Sequence, residues 1–495
     1  MASELKAAVL LCADGDHAAE LAPWSIDEDV QMHVVPGLCR RPEEIGRWLT
    51  GSDIGRLVLG LCPEEYSLAE VQTAARKAGF DALGVAIVHL RGASAENAKM
   101  LLAAAVARAR AYGGCKPENA KLYRPARLSR RSLFKLAALY EYRAVPAIDR
   151  SRCAADIGCA LCVRACPRAA LEWSSGTVSY DKAKCEPCGV CVTACPREAV
   201  EYPTCTPAQI EAQIGALLSA RRGGPRGILF ACERLPDPRA DDGWLPITIP
   251  CLGMASPAWF LAPLLMGADA VGVAACRSKC PFGKDEEVEG GVALCREFLR
   301  AVGAPERLVS RPPLEVIPFE SGKWPLLEHP FRRAATANVF IAVARAQNGD
   351  EVVLEHRSSP LGIVEVEAGV CVGCGVCARA CPTGALRREE QDDRITLTFD
   401  AMTCVACGRC VLHCPEAERH AIRVVKAIDL RRLGQGRTVI YEEETLRCLT
   451  CGAAIASLQM VRQVERFLGD QCSAANRVIA RYCPACRGGL AALAR

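Results

Sequence analysis

The chain has 495 residues, of which 31 are cysteine, and its formal net charge is +4 at pH 7. This length is enough for several domains, each with a core of its own. The N-terminus lacks the pattern of a signal peptide, so the cysteines indicate a reducing, cytoplasmic environment and metal ligands rather than disulfides. Acidic residues interleave with the basic ones, which argues against nucleic-acid binding, and no apolar run is long enough for a membrane span.

Residues 1–115 are predicted to form an α/β domain with a parallel sheet. Short apolar runs alternate with helical patterns, as buried parallel strands and their crossover helices do. Cys12 and Cys62 lie at the ends of predicted strands, where open α/β sheets collect their ligands. Two interpretations stay open for this region's cysteines. They are ordinary free thiols, or they hold a metal cluster on Cys12, Cys39 and Cys62 with Cys115 as a candidate fourth ligand.

The same region resembles the N-terminal part of the flavin-containing subunit of heterodisulfide reductase. The resemblance is carried by Val35-Pro-Gly-Leu-Cys39, by the segment from Arg56 to Pro63 and by the helix that contains Lys99. In that family the region leads into a flavin domain. This chain offers no Gly-x-Gly-x-x-Gly motif after a strand, so we do not expect flavin.

Residues 116–150 read as a basic connector. Residues 151–203 carry two cysteine-rich motifs, Cys153 to Pro167 and Cys185 to Pro196, which resemble those of a two-cluster bacterial ferredoxin domain. Three cysteines at close spacing can wrap one corner of a cubane, and a fourth, followed by proline, ligates the neighbouring cluster. The first motif is stretched, with five residues instead of two after its leading cysteine. The rule assigns one [4Fe-4S] cluster to Cys153, Cys159, Cys162 and Cys195, and the other to Cys166, Cys185, Cys188 and Cys191.

Residues 204–325 are predicted to form a second α/β domain. Strand ends there carry four soft thiolates, which suit iron and sulfide: Cys232, Cys251, Cys276 and Cys280. A predicted fourth strand covers residues 314–317.

This second α/β domain resembles the delta subunit of methyl-viologen-reducing hydrogenase. The segments Ile249-Pro-Cys251-Leu-Gly253 and Gly267 to Cys276 carry the resemblance, which implies one [2Fe-2S] cluster and an electron-transfer role. The family has a second cysteine shortly after the first, where this chain has Glu233-Arg-Leu. A docking domain without metal is therefore the alternative.

Residues 326–366 read as a linker helix and strand, and residues 367–428 as a second ferredoxin domain with two regular motifs. Glycines after ligands, Gly375 and Gly408, permit the positive φ that the wrap needs. Reduced core cysteines, disulfides and zinc fit such runs less well. The expected ligand sets are Cys371, Cys374, Cys377 and Cys414 for one [4Fe-4S] cluster, and Cys381, Cys404, Cys407 and Cys410 for the other.

Residues 429–495 form a tail with two further cysteine pairs, and zinc is the expected metal. Pairs separated by about 30 residues are typical of tetrahedral structural zinc. A fifth cubane and no metal are the alternatives, and Cys472 could replace one ligand. The expected ligands are Cys448, Cys451, Cys483 and Cys486.

The predicted fold is therefore a multidomain α/β and α+β chain. Two α/β parallel-sheet domains alternate with two bacterial-ferredoxin-like domains, and a zinc-ribbon-like tail follows. The expected cofactors are four [4Fe-4S] clusters, one [2Fe-2S] cluster and Zn²⁺.

The expected function is electron transfer, because no motif supplies a substrate-activating group. The chain would carry electrons one at a time between redox partners, namely hydrogenase, heterodisulfide-reductase-like or flavin-containing subunits. The alternatives are a ferredoxin-type assembly factor for a metalloenzyme and a redox-sensing regulator.

Overall fold

A computed structural model describes most of the chain. The described residues are 6–49, 53–62, 66–90, 92, 94–123, 140–220, 224–235, 243–274, 276, 280–311, 315–317, 324–391, 393–468, 478 and 481–487. They form two compact units, residues 1–153 with 160–349, and residues 154–159 with 350–495. Within the described part, no helix combines the length and the apolar character that a membrane crossing requires.

The first unit begins with a four-stranded parallel sheet, as the sequence predicts. The strand order is β2-β1-β3-β4. Successive residues of a strand face opposite sides, so Leu10 and Val9 enter different cores, one beneath α3 and one beneath α4. The elements are β1 Ala7–Cys12, α1 Ala18–Leu21, β2 Val30–Val35, α2 Glu44–Leu49, β3 Arg56–Leu61, α3 Leu68–Lys77, β4 Ala86–His89 and α4 Ala95–Arg110.

Short elements follow and frame the first cysteine-rich motifs. The predicted hairpin between the motifs is present as the antiparallel pair β8 and β9. The connector contributes an antiparallel pair, β5 and β6, and its basic segment at 124–135 lies outside the described residues. The elements are β5 Ala120–Tyr123, β6 Glu141–Ala144, β7 Ala147–Ile148, α5 Leu161–Ala165, β8 Leu171–Ser174, β9 Thr177–Tyr180, α6 Val190–Ala194 and β10 Val200–Glu201.

A second parallel sheet completes the first unit, with strand order β12-β11-β13-β14. A capping box starts the helix before it: the Gln209 N–H donates to Thr206 Oγ1, and the Thr206 N–H donates to Gln209 Oε1. The elements are α7 Pro207–Ala220, β11 Gly227–Cys232, β12 Trp244–Ile249, α8 Ala262–Leu265, β13 Ala270–Ala274, α9 Asp285–Ala301, β14 Val309–Ser310 and α10 Thr336–Arg345.

The fourth strand of this sheet differs from the prediction. It is β14, whereas residues 315–317 form no strand and Leu314 lies outside the described residues. Val316 is nevertheless buried against Trp244. The apolar pattern at this position therefore arises because Val316 packs against the sheet without being part of it. The prediction of a strand here was wrong.

The second unit holds an antiparallel sheet of order β15-β19-β16 and another of order β17-β18-β20-β21. Residues 154–159 belong to this unit, where Arg409 donates to the carbonyl oxygens of Ile157 and Gly158. The elements are β15 Val353–Glu355, β16 Gly362–Val366, α11 Val376–Arg379, β17 Leu386–Gln391, β18 Arg394–Asp400, α12 Arg409–Leu412, β19 Ile422–Asp429, α13 Leu430–Gly434, β20 Arg437–Arg447, β21 Ala454–Ser457 and α14 Leu458–Leu468.

The tail's first strands continue the hairpin sheet of the second cysteine-rich region. β20 pairs with β18 along seven residues of that hairpin. From this sheet the Tyr441 hydroxyl donates to the Cys371 carbonyl oxygen at 3.0 Å, and the Ser457 hydroxyl donates to the Val372 carbonyl oxygen at 2.6 Å. The tail therefore braces the loop that carries the first cysteine of this region.

Candidate iron-sulfur and metal sites

In each of three regular cysteine motifs, the chain changes direction at a glycine. Gly189, Gly375 and Gly408 have φ of 73°, 71° and 72°, and each is the residue immediately before a short helix. The third cysteine of the motif then lies in the first turn of that helix. Glycine adopts positive φ without strain, so the chain reverses there and turns three sulfurs toward one point. The positive φ predicted at Gly375 and Gly408 is present.

Two of the four expected ligand sets line cavities in the structure. One small cavity is bordered by all four cysteines of a set drawn from both motifs of the second region: Cys371, Cys374, Cys377 and Cys414. Another is bordered by the corresponding set of the first region: Cys166, Cys185, Cys188 and Cys191. In both cases the fourth cysteine comes from the other motif, where it is followed by proline.

In one of the remaining two ligand sets, neighbouring thiols lie close enough to affect one another's pKa. Burial raises the pKa of Cys404 to about 12, and the neighbouring thiols of Cys381 and Cys407 contribute to that shift. Cys381 and Cys407 therefore lie near Cys404, and the assignment of these three with Cys410 to one cluster stays a prediction. The stretched set of Cys153, Cys159, Cys162 and Cys195 stays a prediction.

The chemistry of these thiols suits iron. Burial raises the pKa of Cys185 and Cys371 to about 11 and that of Cys377 and Cys410 to about 12, and the other thiols of each set add to the shift. Four crowded thiolates in an apolar pocket are stable only beside a cation that shares their charge. The residues therefore fit a cationic iron-sulfide core.

The second parallel sheet brings two of its four expected ligand cysteines close together. The sulfurs of Cys232 and Cys276 lie 3.5 Å apart. Two thiolates on one tetrahedral metal ion are about 3.8 Å apart, given metal–sulfur bonds of about 2.3 Å. Cys251 and Cys280 share a buried cluster with Phe282. A two-iron centre, in which each iron takes two cysteines, would need Cys251 and Cys280 to form the second pair.

Cys251 and Cys280 also contact the first cysteine-rich region. They pack in one buried cluster with Cys188 and Val190. Beside them the Thr193 hydroxyl donates to the Met254 carbonyl oxygen. Two expected redox sites are therefore separated only by one buried cluster of side chains, which we call the shared wall: Cys188, Val190, Cys251, Cys280 and Phe282. The spacing of cysteines in the sequence does not reveal this contact.

Two arginine side chains lie against the Phe282 ring of this shared wall. The guanidinium groups of Arg168 and Arg234 lie 5.6 and 5.1 Å from the centre of the Phe282 ring. Arg234 also lies 3.6 Å from a carboxylate oxygen of Glu186. Cations beside this buried cluster of side chains would offset the negative charge that thiolate-bound iron-sulfur clusters carry. Sequence analysis missed these residues, although Arg168 and Phe282 each follow a Cys-Pro pair closely.

The four tail cysteines converge. The sulfurs of Cys448, Cys451, Cys483 and Cys486 all lie within 4.8 Å of one another. Hydrogen bonds from backbone N–H groups, first that of Cys483, lower the pKa of Cys448 to about 6. A thiolate is the metal-binding form of cysteine, so this spacing and charge suit a single tetrahedral ion. Cys472 lies outside the described residues.

Three N-terminal cysteines also meet. The sulfurs of Cys12, Cys39 and Cys62 lie within 4.8 Å of one another, and Cys115 is not part of this group. The Cys115 sulfur instead lies 3.3 Å from the Asn119 carbonyl oxygen.

Comparison with known families identifies three domains of the chain. The model of the 4Fe-4S dicluster domain matches residues 150–199 and again residues 370–417. The model of the methyl-viologen-reducing hydrogenase delta subunit matches residues 232–312. A search of curated proteins found no match. The chain therefore contains two 4Fe-4S dicluster domains and a hydrogenase delta-subunit domain, the domain set of an iron-sulfur electron-transfer subunit.

Proposed function

We propose that this chain carries electrons one at a time between redox partners, and that its delta-subunit domain exchanges them with the first dicluster domain. The observation that carries the proposal is the shared wall of Cys188, Cys251 and Cys280. Iron-sulfur clusters, when bound, each take up and release one electron at a potential that the protein tunes. Side chains in direct contact leave little distance and no solvent between two such sites.

The proposal includes the cofactors and ligands expected from the sequence. The four sets of ferredoxin cysteines would hold four [4Fe-4S] clusters. The set of Cys232, Cys251, Cys276 and Cys280 would hold one [2Fe-2S] cluster, and the tail pairs would hold Zn²⁺. The domain boundaries are those of the sequence analysis, except that the tail's sheet continues the second dicluster domain.

The proposed partners are other redox proteins in the cytoplasm, of hydrogenase, heterodisulfide-reductase-like or flavin-containing type. The matched family is named as a subunit of a hydrogenase, which supports this kind of partner. The delta-subunit domain would be the port to such a partner, because it is joined to one dicluster domain by the shared wall.

Rapid reduction followed by EPR tests this function. The oxygen-free chain is mixed with a low-potential donor and frozen at increasing times. We expect signals from both cluster types to develop together, with a magnetic interaction between the centre on Cys251 and the centre on Cys188. Cys232→Ser should remove the two-iron signal and the interaction but keep the cubane signals.

Cys295→Ser is the matched control, since Cys295 is buried in α9 of the same domain and is not an expected ligand. It should leave both signals unchanged. A chain that takes up no electrons on this timescale and co-purifies with a metal-free enzyme would instead be an assembly factor, and the proposal would be wrong.

A further inference from the structure

The N-terminal sheet gathers three cysteines at a position where α/β proteins bind ligands. Cys12 is the last residue of β1, Cys62 directly follows β3, and Cys39 follows β2. β1 lies between β2 and β3, so the chain leaves β1 toward one side of the sheet and returns on the other. Such a reversal opens a crevice at the carboxyl ends of the strands. The three cysteines therefore lie at that crevice.

The backbone around the three sulfurs is arranged to serve them. The Cys62 N–H donates to the Cys39 sulfur at 3.1 Å. The turn after Cys12 is closed by the Gly15 N–H, which donates to the Cys12 carbonyl oxygen at 3.0 Å. A side chain at Gly15 would place its Cβ 3.1 Å from that oxygen and 3.9 Å from the Cys62 sulfur. Glycine there keeps the space beside the sulfurs open.

The spacing of the sulfurs indicates the size of what they would hold. Thiolates on one tetrahedral ion are about 3.8 Å apart at metal–sulfur bonds of about 2.3 Å. Cubane ligands bind different irons and lie farther apart. Among the described residues, only two groups of three or more cysteines have all sulfurs within 4.8 Å: these three, and the four tail cysteines. The ferredoxin cysteines, all described, form no such group. The three N-terminal sulfurs thus have the spacing of ligands to one ion.

We propose that Cys12, Cys39 and Cys62 bind a single thiophilic ion, Zn²⁺ or a metal of the same class, with a fourth ligand that is not among the described residues grouped with these sulfurs. Three protein ligands with one open position are typical of reactive rather than structural zinc. This differs from a further iron-sulfur cluster that includes Cys115. The inference is independent of the electron-transfer function proposed above.

Binding would exchange protons for the metal. Three thiols that bind one divalent ion release three protons, and the resulting site carries one negative charge. Zinc uptake at this site should therefore strengthen as the pH rises.

The test uses the full-length chain with the tail site removed by Cys451→Ser and Cys486→Ser. This variant is purified without oxygen from zinc-supplemented cells, and its zinc and iron contents are measured together with X-ray absorption at the zinc edge. We expect one zinc per chain, with three sulfur neighbours at about 2.3 Å and one lighter atom. Because the three N-terminal cysteines are intact in this variant, the spectrum does not depend on how a further substitution folds.

Two additional substitutions complete the test. Cys39→Ser should remove this zinc and leave the iron content unchanged, whereas Cys115→Ser, in the same domain, should keep both. Absence of zinc from the tail variant would overturn the proposal in favour of three buried thiols. Loss of about four irons with Cys39→Ser would overturn it in favour of a cubane.

Discussion

At the scale of single residues, the glycine after the second cysteine is more closely packed in the motif of Gly189 than in the motif of Gly408. A Cβ on Gly189 would lie 2.5 Å from the Met254 sulfur, whereas a Cβ on Gly408 would have no neighbour within 4 Å. The two residues have nearly the same φ. Gly189 therefore serves both the turn and the close approach of Met254.

Gly189→Ala should destabilise the chain more than Gly408→Ala does. Both changes strain a positive φ, at a cost of about 1–2 kcal/mol. Only Gly189→Ala adds a clash, worth about 1–3 kcal/mol more. The urea concentration at which cluster absorbance is lost should fall further for Gly189→Ala. Equal losses would show that Met254 moves aside freely and that the wall is not tightly packed.

Cys205 should be unreactive, although it is not an expected ligand. It is buried, and burial raises its pKa to about 11 despite the nearby Arg108. At pH 8 we expect iodoacetamide to leave Cys205 unmodified in the oxygen-free folded chain and to modify it in urea, as read by peptide mass spectrometry. Modification in the folded chain would show that the segment before α7 opens readily.

The same shift gives a pH dependence. A thiol whose folded pKa is raised contributes stability that is fully present below its unfolded pKa of about 8.5 and is lost as the pH rises through its folded pKa. The contribution of Cys205 should therefore decline between pH 8.5 and about 11. In Cys205→Ala this part of the decline should be missing.

At the scale of elements, the shared wall of Cys188, Val190, Cys251, Cys280 and Phe282 joins two domains of the first unit, beside the contact of α6 with the segment Leu252–Met254. The cysteine motifs could be predicted from sequence because each depends on a loop of a few residues. The wall could not, because Cys188 and Cys251 come from different domains and meet only through packing. The same reason explains β14, where an apolar pattern at Val316 indicated burial but not a strand.

Phe282→Ala should loosen this wall. Phe282 is 6% exposed and packs on Cys188, Cys251 and Cys280. Truncating a buried phenylalanine costs about 3–5 kcal/mol. We expect the magnetic interaction between the two centres to weaken and cluster absorbance to be lost at lower urea. Phe467→Ala, at a side chain that is 91% exposed, is the control and should change neither. An unchanged interaction in Phe282→Ala would remove the wall as the route between the domains.

At the scale of the whole molecule, the distances between cysteine sulfurs distinguish expected iron-sulfur sites from expected single-ion sites. Four runs of closely spaced cysteines and two distant pairs could be read from the sequence, and the structure gathers the tail quartet tightly. The N-terminal three have no local motif, because they come from different strands. Only the sheet topology brings them together.

The tail double variant Cys451→Ser and Cys486→Ser should lose one zinc per chain and keep all its iron. Backbone N–H groups at these loops stabilise thiolates for one ion, and no sulfide-bridged core fits sulfurs so close together. Metal analysis beside a Cys295→Ser control measures this. A fall of about four irons would instead indicate a fifth cubane.

The central claim is that distant cysteines converge to hold several iron-sulfur centres in one chain. It is tested most directly by iron analysis of the oxygen-free protein together with a reductive EPR titration. We predict about 18 iron atoms per chain, with signals from four cubanes and one two-iron centre. A value near 8, with signals from a single dicluster domain, would contradict the account.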